Sequence, residues 1–203
     1  MQPRYSTANQ VMHWITAICM LALLPIAWVM VNTRPQGPYV ESLFNWHKTL
    51  GAIVLIVTAI RIVWRFVDPP PPYPPAIAPW ERAVAQTIYW LFFAVLIWMP
   101  VTGLMASTFG GHATRLFDVL PTPLLMAPDK HLAGVFAGLH LWGQWAVYAL
   151  IGLHLSAVAM HLIWRRDGVL GRMLPANAAE PGPAWRPAPG RPATHPGHIA
   201  PAE

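Results

Sequence analysis

The sequence predicts an all-α integral membrane protein: a four-helix bundle, up-down-up-down, with both termini in the cytoplasm. Three observations carry this prediction. Of the 203 residues, 55% are hydrophobic and only 10% are charged, against roughly 25% charged in soluble domains. The charges stand singly at the ends of four apolar runs, each long enough to cross a bilayer. Most of the 23 prolines lie outside these runs, which contain only Pro25 and Pro100, and membrane helices tolerate an occasional proline.

The first apolar run covers residues 11–31 and predicts a membrane helix. No charged residue occurs between Arg4 and Arg34. A signal peptide is the alternative, but its apolar region is about 7–15 residues long and precedes a small-residue cleavage site. This run is longer and no A-x-A site follows it, so the helix is favoured.

Three further spans follow, at about residues 43–66, 83–108 and 132–164. In the second span, Lys48 and Arg61 are expected to extend their charged ends outward to the membrane surfaces. In the third, Pro100 and Gly103 are interpreted as a kink. The fourth has a length of about 50 Å at roughly 1.5 Å per residue, so it is expected to project beyond the hydrocarbon core.

The distribution of Lys and Arg predicts the orientation. With the N-terminus inside, seven basic residues lie near cytoplasmic ends and four on the opposite side, not counting the tail, so both termini are expected in the cytoplasm. Residues 68–79, DPPPPYPPAIAP, are expected to form a stiff connector. Residues 1–175 then form one transmembrane domain, and residues 176–203 a disordered, Pro-rich cytoplasmic tail.

The composition also excludes several kinds of site. A single cysteine, Cys19, excludes an internal disulfide, a Cys-ligated iron–sulfur cluster, a CxxCH haem attachment and a thiolate zinc site. The net charge of +5 comes from dispersed basic residues, which is a membrane pattern and predicts no nucleic-acid partner. Any metal must therefore be held by His, carboxylate or Met.

The histidines within the spans are the main functional signal, because an ionisable group in lipid is costly to leave unpaired. His140 and His154 are 14 residues apart, within roughly 40° on one helix face and about 21 Å apart along the axis. With antiparallel helices, depth pairs His13 with His154 near the cytoplasmic side. It likewise pairs His47 with His140 near the outer side.

Two bis-His sites at different depths suit two non-covalent b-type haems, because neutral imidazole is a haem ligand and bundles build cofactor sites from facing helices. Two alternatives remain. An intramembrane His is often a structural hydrogen-bonding group. A His-based zinc or copper transporter is the second alternative, and it is weakened because the spans lack Asp and Glu and the two sites are about 21 Å apart.

Three other residues are candidate catalytic groups: His161, Lys48 and Arg165. His161 lies about 10 Å nearer the cytoplasm than His154. It is either a quinone contact or proton donor, with Arg165 or Arg166 near it, or an interfacial His satisfied by water and headgroups. Lys48 and other outer basic residues either attract a small anion to the outer site or belong to an ordinary solvated surface.

The candidate residues lie within short sequence motifs that follow one another along the chain. The matching features are YS at 5–6, HW at 13–14, HKTLG at 47–51, MPVTG at 99–103, the His140/His154 spacing, and HLIWRRDGVLGRMLP at 161–175. Together they resemble the bacterial cytochrome b561 family, whose characterised activity includes superoxide oxidase. The likeness covers residues 4–175 and all four spans in order, whereas the Pro-rich tail departs from the family's ending and inherits no role.

The resemblance implies a multi-pass protein of the bacterial inner membrane with two b haems ligated at His13, His47, His140 and His154. It also implies electron exchange with the quinone pool. In the superoxide oxidase form, superoxide or another periplasmic donor gives electrons outside, and ubiquinone near His161 becomes quinol. The alternative within electron transfer is a cytochrome b subunit that anchors a dehydrogenase or hydrogenase.

Overall fold

Four long helices dominate the computed structural model, which describes residues 4–34, 37–74 and 77–175. The helices are α1 (Thr7–Asn32), α2 (Pro38–Val67), α3 (Pro79–Phe109) and α4 (Lys130–Ala159). All four are long and apolar enough to cross a membrane, and 76% of the described residues are helical. The predicted all-α, four-span architecture is confirmed. The predicted tail at 176–203 lies outside the described residues.

The helices begin earlier than hydropathy alone predicts, because caps rather than apolar residues set their starts. Ser6 Oγ accepts a hydrogen bond from the backbone N–H of Asn9 and caps α1. Pro79 occupies the first turn of α3, where its missing N–H costs nothing. Asp129 Oδ1 accepts from two backbone N–H groups at the start of α4.

The predicted end of the fourth helix needs a correction. The α-helix ends at Ala159, and the chain continues as a π-helical segment, Met160–Arg165. Arg166 then adopts a left-handed conformation with φ of 49°, which reverses the chain towards a short 3₁₀ helix, Leu170–Met173. A π-helical segment is rare and often accompanies a functional site.

The helices pack in sequence, α1 on α2, α2 on α3 and α3 on α4. The buried core consists of Cys19, Leu23, Val54 and Leu96, which lie at mid-depth. A Cβ placed on Gly143 would lie 2.6 Å from Met99 Sδ, so glycine there permits the close approach of α4 to α3. Large apolar side chains cover the outside, as expected for a lipid-facing surface.

We name the two ends of the bundle after the predicted orientation. The inner end carries the start of α1, the end of α2, the start of α3 and residues 160–175; the outer end carries the opposite termini. At the inner end, Asp68 accepts hydrogen bonds from Ser6, Asn9 and Trp64. Arg172 donates to the carbonyls of Pro71 and Pro72. These bonds tie the connector after α2 to both terminal segments.

The outer loop contains a small hairpin that the sequence did not predict. Strands β1 (Arg115–Leu116) and β2 (Leu120–Pro121) pair antiparallel, and Phe117 and Asp118 form the turn with φ of 53° and 61°. Buried residues of α2 hold this turn: Asn45 donates to Asp118 at 2.8 Å, and Thr49 Oγ1 accepts from the N–H of Phe117 at 3.0 Å. The hairpin is therefore fixed one turn or less from His47.

Candidate functional site

Two histidine pairs lie at different depths between the helices. At the inner end, the rings of His13 on α1 and His154 on α4 have centroids 6.3 Å apart. Phe92 of α3 packs edge-on against His154, with ring centroids 5.6 Å apart. His13 is half-buried and His154 is exposed. His13 and His154, which the sequence pairs by depth, thus lie together in the structure.

At the outer end, the rings of His47 on α2 and His140 on α4 have centroids 6.1 Å apart. His140 Nδ1 lies 2.9 Å from the carbonyl oxygen of Met99 and 3.3 Å from Thr102 Oγ1. Because a carbonyl only accepts, Nδ1 carries the proton and donates to it, so Nε2 keeps its lone pair. In metal-ligating histidines generally, such a hydrogen bond from the ring nitrogen that does not bind the metal orients the ring.

Gly103 on α3 makes room for this arrangement. A Cβ placed on Gly103 would lie 2.9 Å from Cε1 and 3.1 Å from Nδ1 of His140, so any larger residue would require the His140 ring to shift. From the sequence, Gly103 with Pro100 is interpreted as a kink, and α3 continues through both positions. The role of Gly103 is to let the His140 ring lie against the α3 backbone.

The spacing of both pairs fits a metal ion held between two imidazoles. An imidazole nitrogen lies about 1.1 Å from its ring centroid, and metal–nitrogen bonds are about 2.0–2.1 Å, so the two centroids are expected about 6.3 Å apart. His47 Nδ1 is buried and has no hydrogen-bond partner among residues 4–34, 37–74 and 77–175. Within the same ranges no group of three or more His, Cys, Asp or Glu is arranged so that it could hold a metal ion. Two protein ligands per site suit an iron whose remaining ligands come from a macrocycle.

Arg61 differs from the expectation that it extends to the membrane surface. Its Nη1 lies 3.5 Å from Thr16 Oγ1, and its guanidinium lies over the Phe93 ring at 5.7 Å from the centroid. Both contacts are buried, with 5% of Thr16 and 4% of Phe93 exposed. The guanidinium therefore turns into the bundle towards α1 and α3.

The candidate catalytic residues lie at opposite ends. His161, in the π-helical segment, has its Nδ1 2.6 Å from Asp167 Oδ2, a partner that the sequence analysis missed. Arg165 forms an ion pair with Glu81 at the start of α3. Lys48 is half-buried beside His47 at the outer end. No arrangement joins all three, since Lys48 is separated from the other two by the length of the bundle.

A family model described as prokaryotic cytochrome b561 matches residues 4–176. The chain belongs to the prokaryotic cytochrome b561 family. It is similar to cytochrome b561 homolog 2 of Escherichia coli (strain K12), with 25% identity over 179 residues, 88% of this chain and 95% of the relative. As a cytochrome b561 it is a multi-pass membrane cytochrome that binds haem b and transfers electrons.

Family membership explains why His residues rather than carboxylates occupy the spans. Two contacts in this cytochrome b561 were not predicted from the sequence, because each depends on a residue that is not a candidate metal ligand within the spans. These are the close approach of Gly103 to His140 and the hydrogen bond between Asp167 and His161. A sequence signal existed for the second: Asp167 is followed by Gly168, which has φ of 73°, so a turn there returns the carboxylate towards the helix end.

Proposed function

We propose that this cytochrome holds two haem b groups and transfers electrons from a donor outside the bacterial inner membrane to ubiquinone, with superoxide as the donor. The observation that carries the proposal is the presence of two facing histidine pairs, with ring centroids 6.3 Å and 6.1 Å apart, at opposite ends of the bundle. A single site would serve one membrane surface, whereas two stacked sites connect both.

His13 and His154 would hold the inner haem, and His47 and His140 the outer one. When bound, haem b would supply reversible one-electron chemistry, and each histidine pair would serve to hold it. The protein's own contribution is to hold the rings in place. At the outer site the Met99 carbonyl fixes the tautomer of His140, and the apolar core at mid-depth excludes water between the sites.

The inner end supplies the protons that quinone reduction needs. His161 and Asp167 form a hydrogen-bonded pair with side chains 18% and 25% exposed, so the imidazole is held in place yet reachable from water. Asp167 Oδ1 also accepts from the N–H of Val169, which fixes the carboxylate. We assign His161 as the group that passes protons to the quinone.

Arg165 has a positioning role in this proposal. Its ion pair with Glu81 joins the end of α4 to the start of α3, so it holds the π-helical segment that carries His161. Direct contact with the quinone is not required of it. In this proposal Arg165 is therefore a positioning residue that holds His161 at the correct depth, in place of the catalytic role predicted from the sequence.

The outer end attracts the donor. Lys48 is half-buried next to His47, and a cation at a partly desolvated site raises the local concentration of a small anion. The reaction balances as follows: two superoxide anions lose one electron each and leave as dioxygen. Ubiquinone gains these two electrons and two protons from the inner side, and becomes ubiquinol.

The decisive experiment uses the purified protein with its haem, under anaerobic conditions, supplied with superoxide with and without a ubiquinone analogue. We expect superoxide to reduce the haem, superoxide dismutase to abolish this reduction, and the quinone analogue to reoxidise the haem while quinol accumulates. Lys48→Gln should slow haem reduction at low ionic strength and leave reoxidation by quinone unchanged.

Other results would separate the alternatives. Haem that superoxide does not reduce, in a protein that co-purifies with a large redox subunit, indicates the membrane anchor of a dehydrogenase or hydrogenase. A colourless preparation that binds zinc or copper contradicts the haem assignment and indicates a metal transporter. A metal analysis and a reduced-minus-oxidised spectrum distinguish these cases.

A further inference from the structure

Arg61 occupies a position in α2 that corresponds to a histidine in α4. His47 and Arg61 are 14 residues apart, as are His140 and His154, so each pair lies within roughly 40° on one helix face and about 21 Å apart along the axis. Since His47 faces the outer site, Arg61 faces the inner site. At that depth α1 provides the ligand and α2 provides a cation.

The contacts of the guanidinium agree with this position. Thr16, its partner on α1, is one turn from His13, and Phe93 on α3 adjoins Phe92, which packs on His154. Arg61 therefore lies among the elements that carry both inner histidines. Thr58, one turn before Arg61 on the same face, has a fully buried hydroxyl without a hydrogen-bond partner in the described part of the chain.

Arg61 also has no acidic partner there. Neither the ion pair His161–Asp167 nor the ion pair Arg165–Glu81 includes Arg61. A cation turned into a membrane-spanning bundle requires compensation by negative charge, because burying an isolated charge is strongly unfavourable. Haem b carries two propionate groups, which are the anionic part of the cofactor.

We propose that Arg61 is the electrostatic partner of the inner haem, binding its anionic edge and raising its reduction potential. This inference rests on the proposed function, since it requires a haem at His13 and His154. A nearby positive charge disfavours the ferric form, which has one more positive charge than the ferrous form. Arg61 thus makes the inner haem a better electron acceptor and favours electron flow from the outer site to the inner one.

The test is a redox titration of the haem-loaded protein, in which the two haems are resolved by their spectra. Arg61→Gln removes the charge and should shift the inner midpoint to lower potential while leaving the outer midpoint unchanged. Arg61→Met removes the same charge and substitutes an apolar side chain of similar length. Proteins often still fold when buried charged groups are replaced by apolar residues of similar volume. Selective loss of the inner haem in either variant also supports the proposal.

Arg65→Gln is the matched control. Arg65 is one turn away on α2 and packs over Tyr89 and Trp90, at 4.2 Å and 5.5 Å from their ring centroids. We expect a smaller shift of the inner midpoint in this variant. The proposal is overturned if the inner midpoint is unchanged in Arg61→Gln and Arg61→Met, if Arg65→Gln shifts it equally, or if both haems are lost together.

A parallel His13→Ala titration distinguishes failure of this inference from failure of the proposed function. If His13→Ala loses one haem component while the Arg61 substitutions leave the inner midpoint unchanged, only the role of Arg61 is overturned. Retention of both components in His13→Ala means that the inner site itself is wrongly assigned, and the role of Arg61 is overturned with it.

Discussion

The ring of His140 donates from Nδ1 to the carbonyl oxygen of Met99, at a distance of 2.9 Å across the α3–α4 interface. Met99 immediately precedes Pro100. Because proline has no backbone N–H, the carbonyl four residues before Pro100 loses its usual helical hydrogen bond, and hydrogen bonding in this part of α3 is perturbed. The contact combines a fixed tautomer with a fixed ring plane, and the outer pair is therefore organised by the protein itself.

Gly103→Ala tests this organisation directly. The new Cβ would lie 2.9 Å from His140 Cε1, so the ring must move away from the Met99 carbonyl. We expect haem affinity at the outer site to fall by about 10–100-fold, the size of effect seen for groups that orient metal-ligating histidines. Haem titration of the apoprotein, monitored by absorbance, measures this change.

Gly134→Ala is the control for the same substitution on α4. No heavy atom lies within 4 Å of a Cβ at Gly134, so haem affinity should be unchanged or the helix slightly more stable, since Ala is the better helix former by about 1 kcal/mol. Equal haem loss in the two variants would show that the contact with His140 is irrelevant.

Removal of single histidines should separate two spectral components. His13→Ala and His154→Ala are expected to lose one component, and His47→Ala and His140→Ala the other, because each pair lies about 6 Å apart while the pairs are about 21 Å apart. Each variant should retain about half of the haem, measured as the pyridine haemochrome. If His13→Ala and His47→Ala removed the same component, the pairing by depth would be wrong.

Asp167→Asn should affect the inner end alone. The carboxylate holds His161 Nδ1 at 2.6 Å, so its loss frees the ring and leaves quinone without an oriented proton donor. We expect the turnover rate with quinone to fall about tenfold or more, while anaerobic haem reduction by superoxide is unchanged. Asp129→Asn, at the start of α4 on the outer end, serves as the control and should alter neither rate.

The hairpin at the outer end should loosen in acid. Hydrogen bonds from Ser42 and Asn45 hold the pKa of Asp118 below its usual range. This carboxylate therefore stabilises the hairpin fully above its unfolded pKa of about 3.9, and the stabilisation is lost as pH falls through the lower folded pKa. Hydrogen exchange at residues 115–119, corrected for intrinsic rates, should increase below about pH 4. Asp118→Asn should remove this pH dependence.

The four spans and the pairing of histidines by depth were accessible from the sequence because they depend on local regularities. Apolar length defines a span, and a spacing of 14 residues defines a common face on any α-helix. Neither quantity needs the positions of neighbouring helices. The same reasoning extended to His47 and Arg61 would have placed the guanidinium on the inward face.

The remaining features depend on tertiary contacts. The direction of Arg61 is decided by Thr16 and Phe93, which lie on two other helices. The hairpin turn uses Phe117 and Asp118 at positive φ. Asp is among the residues favoured there but Phe is not, and the turn is held by side chains of α2. The contact between His161 and Asp167 exists because the chain reverses at Arg166.

The apolar core at mid-depth, Cys19 with Leu23, Val54 and Leu96, has a consequence for energy conversion. Three of its four side chains are hydrocarbon and the fourth is a single buried thiol, so the cluster provides no chain of proton-carrying groups, and under the proposed function electrons cross this layer unaccompanied. Each inward transfer then moves an electron towards the negative side of an energised membrane. For a full crossing, this costs about 2.3 kcal/mol for each 100 mV of membrane potential. Turnover should consequently be slowed by the membrane voltage and accelerated by an uncoupler, and the cytochrome would itself contribute to charging the membrane.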